Sequence, residues 1–139
     1  MQATLPLITA LYAGLNGLVA LFLALRVSMT RAKKKIDLGD GGDQQLLQTI
    51  RVHGNNTEYL ALILVLMALI EMLGAPTMAL HVLGIALTLG RVLHAQGLSS
   101  KTGPSFGRIA GQMATWIVLA CTNLYALYLF NVGGRAVAG

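Results

Sequence analysis

Charge is scarce in this chain. Asp, Glu, Lys and Arg together make up 11% of it, where a soluble domain carries roughly 25%. That deficit excludes an ordinary water-soluble domain. Acidic residues are the scarcer kind, five against ten Lys and Arg, for a net charge of +5. Aromatics are also few, at 6%. A basic balance without aromatics interleaved on a soluble face does not read as a nucleic-acid footprint, and no nucleic-acid partner is expected. The single cysteine, Cys121, excludes an internal disulfide and a cysteine-based metal site. It lies in an apolar run, where an inert buried thiol is expected. His53, His81 and His94 share no ligand spacing, so no metal is expected. No basic residue precedes Arg26, and the first apolar run exceeds the ~7–15 residues of a signal-peptide core. An uncleaved membrane span is expected there instead.

What the chain has is grease in long runs: 55% hydrophobic residues over 139 positions and a mean hydropathy of +0.69. A helix needs about 20 apolar residues to cross a bilayer. Four runs qualify: Leu5 to Met29, Leu46 to Leu73, Pro76 to Leu98, and Phe106 to Val132. The sequence therefore predicts an all-α membrane protein, one four-transmembrane-helix domain over residues 1–139. Gly74-Ala75-Pro76 makes a short turn between the second and third spans. The loops "DLGDGGDQQ" (37–45) and "SSKTGPS" (99–105) share the other side. Arg26, Arg31, Lys33, Lys34, Lys35, Arg51, Arg91, Lys101 and Arg108 all fall on that side, and Arg135 alone lies opposite. The positive-inside rule then puts both loops in the cytoplasm and both termini outside. Tyr125 and Tyr128 fall near the outer interface, with Tyr12 nearby in the outer half of the first span, and some of these belong to an aromatic belt.

The second span opens on "RVHGNNTEY" (51–59), an unexpected beginning for a lipid-facing helix. At 100° per residue Arg51, Asn55 and Glu58 project within about 60° of one another, with Tyr59 just beside them. His53, Asn56 and Thr57 point elsewhere. Taking Glu71 as the outer interface puts Arg51 at the inner one, about 30 Å away, and Glu58 about 10 Å deeper than Arg51. A carboxylate at that depth needs a neighbouring helix or a wet cavity. A structural ion pair, with Arg51 and Glu58 bridging helices, accounts for the stripe about as well as a binding site does. Two further pairs favour the site. Arg91 and His94 close the third span on the same side, and Arg108 and Gln112 open the fourth. Arg26 and Arg31 can come from the first. One carboxylate cannot satisfy all of these arginines, so the excess suits a ligand carrying carboxylates and an ammonium.

This pattern resembles the MAPEG family, the membrane-associated proteins of eicosanoid and glutathione metabolism. The resemblance rests on R-x-x-x-N-x-x-E-Y at Arg51, Asn55, Glu58 and Tyr59, with "GRVLHAQG" and "FGRIAGQ" following, and covers residues 5 to 132. It is nearest to small bacterial inner-membrane members. It implies a homotrimer of four-helix bundles that binds glutathione between subunits near the cytoplasmic face, as co-substrate for thiolate chemistry on lipophilic electrophiles or hydroperoxides. In that scheme Arg51, with Arg31 or a nearby lysine, holds carboxylates. Glu58 takes the ammonium, Asn55 a peptide group, and Tyr59 a further hydrogen bond. Arg91 and His94 join them as glutathione-binding residues. Arg108, at a helix N-terminus, is the expected catalytic residue, because a cation and a helix dipole both favour the nucleophilic thiolate. Lys101 competes for that role. His94 and Leu98 stand where similar enzymes carry tyrosines, and the family also contains a non-enzymatic lipid-presenting member. The alternative expectation is therefore a non-catalytic lipid-binding or scaffold protein of the same fold. Four spans without an internal repeat or a broken midplane helix argue against a transporter.

Overall fold

A computed structural model describes residues 5–100 and 103–138, with side chains as far as residue 133. Four helices follow in order: α1 (Leu7–Lys34), α2 (Gln44–Met72), α3 (Thr77–Ser100) and α4 (Phe106–Ala138). All four are long and apolar enough to cross a membrane. Every expected span is present, and α1 and α4 run between one and two turns beyond their expected ends. α2 and α3 occupy the middle of the bundle, and α1 and α4 do not touch among the described residues. The outer surface is studded with exposed Leu, Ile, Phe and Met side chains on all four helices, as a lipid-facing surface requires.

Three helix ends are closed by specific devices. α1 has no cap of its own in sequence. The Glu71 carboxylate, from the last turn of α2, accepts Ile8 N–H at 2.8 Å, Thr9 N–H at 2.7 Å and the Thr9 hydroxyl at 2.6 Å. A negative charge at a helix N-terminus meets both the unpaired amides and the positive end of the dipole. Glu71 is thus buried between the ends of two helices. At the opposite end Asp43 caps α2, accepting from Leu46 N–H at 2.8 Å, and pairs with Lys34 at 2.7 Å. The Lys34 hydrogen bond, then the Leu46 amide, hold the Asp43 carboxyl below the usual aspartate range. α2 ends at Met72, with Leu73 as its cap and Gly74 at φ +91, a left-handed conformation that suits glycine.

The interior divides into two apolar clusters. One gathers Tyr12, Leu60, Ile63, Met67, Leu87 and Val118; the other gathers Leu23, Val52, Ala95 and Leu98. Hydrophobic burial does little to join helices within lipid, so packing and interhelical hydrogen bonds carry the association. Tyr12 belongs to this interior and not to an aromatic belt. Its hydroxyl bonds His81 Nδ1 at 2.9 Å, and Asn16 Nδ2 donates to Thr88 Oγ1 at 2.8 Å. Cys121, expected to be buried, is exposed.

α3 and α4 pack backbone against backbone near the site. A Cβ on Gly97 would collide with the Arg108 amide nitrogen, and one on Gly111 with the Gly90 carbonyl. Glycine is required at both positions by this close approach.

Candidate functional site

The polar ends of α2, α3 and α4 meet around two adjoining cavities. The first, about 260 Å³, is lined by Gln44, Leu47, Gln48, Arg51, Asn55, His94, Leu98 and Arg108. The second, about 350 Å³, shares Asn55, His94 and Arg108 and continues past Tyr59, Gln112 and Trp116. The three shared residues make this one groove with two lobes. Of the residues expected from sequence, Arg51, Asn55, Tyr59, His94 and Arg108 come together here.

Their fixation differs. The Ser105 hydroxyl accepts from the Arg108 amide at 3.3 Å and donates to the Gly97 carbonyl at 3.0 Å, pinning the first turn of α4 to the last turns of α3. The Arg108 guanidinium makes no hydrogen bond among the described residues and is free toward the groove. His94 is 3% exposed. Its Nδ1 lies 2.8 Å from the Arg108 carbonyl, which can only accept, so Nδ1 carries the proton, and in the neutral tautomer Nε2 is an acceptor. That Nε2 and the Gln112 Oε1 are buried without partners among the described residues. Buried polar atoms are nearly always satisfied, so two such atoms on residues that line one lobe point to a polar partner from a ligand.

Other expected residues are placed elsewhere. Arg91 is 0% exposed and lines neither lobe. Its guanidinium donates to the Asn55 carbonyl, to Asn55 Oδ1 at 3.2 Å, to Asn56 Oδ1 at 3.3 Å and to Thr115 Oγ1 at 3.3 Å. It stands behind the groove and holds Asn55 in place. Arg31 folds back on its own loop, donating to the Gly39 carbonyl at 2.7 Å. Arg51 and Glu58 do not bridge helices. They lie 4.0 Å apart along α2, with side chains 62% and 47% exposed. Glu58 lines neither lobe. Lys101 lies outside the described residues.

Gln44 and Gln48 were not anticipated as part of the groove. Extending the stripe backwards reaches them, since 44, 48, 51 and 55 step by four, three and four along one helix face. Gln48 also donates to the Leu98 carbonyl at 2.7 Å, capping the end of α3.

Residues 9–128 match the MAPEG family, which spans all four helices and every residue of the groove. The chain belongs to the MAPEG family. It is similar to the inner membrane protein YecN of Escherichia coli, in strains K12 and O6:H1, at 37% identity over 122 residues. That similarity covers 88% of this chain and 92% of YecN. The MAPEG assignment and the four spanning helices agree. The groove lies where polar residues of three of those helices converge at one end of the bundle.

Proposed function

We propose that this MAPEG protein is a glutathione-dependent transferase or peroxidase acting on lipophilic electrophiles. One observation carries it: Arg51 and Arg108 present guanidiniums to a single groove, beside Asn55, His94 and Tyr59. Glutathione offers two carboxylates, an ammonium, two amides and a thiol. Arg51 pairs with a carboxylate through charge-assisted hydrogen bonds, and Asn55 meets a peptide group. The buried acceptors on His94 and Gln112 take N–H or S–H donors. Arg108, at the start of α4, holds the thiolate beside a cation and a helix N-terminus. Attack forms a sulfur–carbon bond and expels the leaving group with its electron pair, while the thiol proton passes to solvent.

Glu58 takes part only from a second copy. It is half-exposed at membrane depth, where an uncovered carboxylate is costly. A homotrimer that covers this face of α2 would bring Glu58 toward a neighbour's groove and supply the ammonium contact. The placement proposed is the bacterial inner membrane, as for YecN, with both termini outside by the distribution of basic residues.

Titration of the detergent-solubilised protein with glutathione tests this, read by thiolate absorbance and by thermal protection. The wild type should show both. Arg108→Ala should keep the protection, lose the thiolate band and slow conjugation of a standard electrophile by about two orders of magnitude. Absence of both signals in the wild type would sink the proposal and favour the non-catalytic lipid-binding or scaffold alternative.

A further inference from the structure

A second groove lies on the other side of α3, between α1 and α3, and shares no residue with the first. It measures about 440 Å³ and is lined by Leu18, Val19, Phe22, Leu23, Val92 and Ala95, then Arg26, Gln96 and Ser99. The order along the axis matters. From Leu18 to Arg26 the floor runs about 12 Å, apolar at the deep end and polar only in its last turn. The polar end coincides with the end of α3 at Ser100, while α1 continues past it to Lys34. The polar groups therefore sit where a spanning helix leaves the hydrocarbon.

Arg26 donates one bond, Nη1 to Ser99 Oγ at 2.8 Å. No salt bridge engages it among the described residues, leaving most of its five donors unused. Gln96 is exposed beside it and makes no hydrogen bond among the described residues. A guanidinium and an amide held open at the rim of an apolar channel match a phosphodiester attached to a hydrocarbon chain. Exposed Lys33, on α1, and Lys35, just after it, lie beyond them, adding positive potential at the same end. A basic pocket between spanning helices at the membrane surface suits an anionic lipid.

We infer that the α1–α3 groove is a binding site for one anionic glycerophospholipid, its acyl chain along Leu18 to Leu23 and its phosphate on Arg26, Gln96 and Ser99. Both halves of the lipid are engaged. A neutral or zwitterionic lipid gains less from the rim, and a free phosphate gains nothing from the channel.

The test is native mass spectrometry of the purified protein in detergent, titrated with dioleoyl phosphatidylglycerol, dioleoyl phosphatidylcholine or inorganic phosphate. One retained phosphatidylglycerol per subunit is expected, with phosphatidylcholine weaker and inorganic phosphate unable to displace the lipid. Arg26→Gln should weaken phosphatidylglycerol retention about fivefold, while Arg26→Lys restores most of it. Gln96→Leu, at an exposed position that does not threaten folding, should weaken it by a smaller factor. Equal retention of both lipids, or no change in Arg26→Gln and Gln96→Leu, overturns the inference. So does displacement by inorganic phosphate. Dissociation of an oligomer by these substitutions also overturns it, because the groove would then belong to a second copy.

Discussion

Arg91 shows how a cation survives inside the bundle without a carboxylate. Its guanidinium meets the Asn55 carbonyl and the side chains of Asn55, Asn56 and Thr115, drawn from α2 and α4. A planar fork can reach several acceptors at once, whereas an ammonium is a single point. Hydrogen bonds to charged groups contribute about 1.5–3 kcal/mol each, and partial rearrangement of the freed amides offsets part of that. Arg91→Leu is expected to destabilise the protein by about 2–3 kcal/mol, and Arg91→Lys to recover less than half of the loss. Reversible unfolding in mixed detergent measures both. The substitution also releases Asn55, so glutathione protection should fall in Arg91→Leu although Arg91 does not line the groove. Sequence spacing placed Arg91 at the right depth. It could not distinguish a side chain in a groove from one behind it, because both lie on inward faces of the same helix.

At the scale of elements, the helices are joined by polar clasps at both ends. Lys34 and Asp43 tie the end of α1 to the start of α2, and Glu71 ties the end of α2 back to the start of α1. Removing the Glu71 clasp should cost what a helix cap costs, about 1–2 kcal/mol. Glu71→Ala is therefore expected to speed amide exchange at Ile8 and Thr9, leaving exchange in α3 and α4 unchanged. Hydrogen–deuterium exchange of the reconstituted protein checks this. The spans themselves were legible because hydropathy over about 20 residues is a property of composition alone. The clasp was not, since the partners lie 62 and 63 residues apart and nothing local marks Glu71 as a cap. The glycine contact between α3 and α4 was likewise hidden: Gly97 and Gly111 acquire meaning only when the two backbones meet.

For the whole molecule, the decisive feature is a polar stripe that one chain leaves uncovered. Arg51 and Glu58 are both exposed on α2, at the end of a span where lipid is a poor partner. A homotrimer would cover them, and each interhelical polar contact in a membrane contributes about 0.6–1.7 kcal/mol. Glu58→Ala should therefore weaken the proposed trimer several-fold per contact, measured by analytical ultracentrifugation in density-matched detergent. A wild-type protein that sediments as a monomer would count against the trimer.

The sequence by itself determined the solvent of this protein, the number of its spans and the helix face that carries Arg51, Asn55 and Tyr59. Those follow from hydropathy and from 100° per residue, which need no partner. Only the tertiary structure decided that Arg108, His94 and Gln112 share a groove with that face, that Arg31 and Arg91 are tied elsewhere, and that Arg26 belongs to a different groove. Four arginines with the same chemistry and similar depth were separated by helix packing, because what a guanidinium can bind depends on which acceptors are already within its reach.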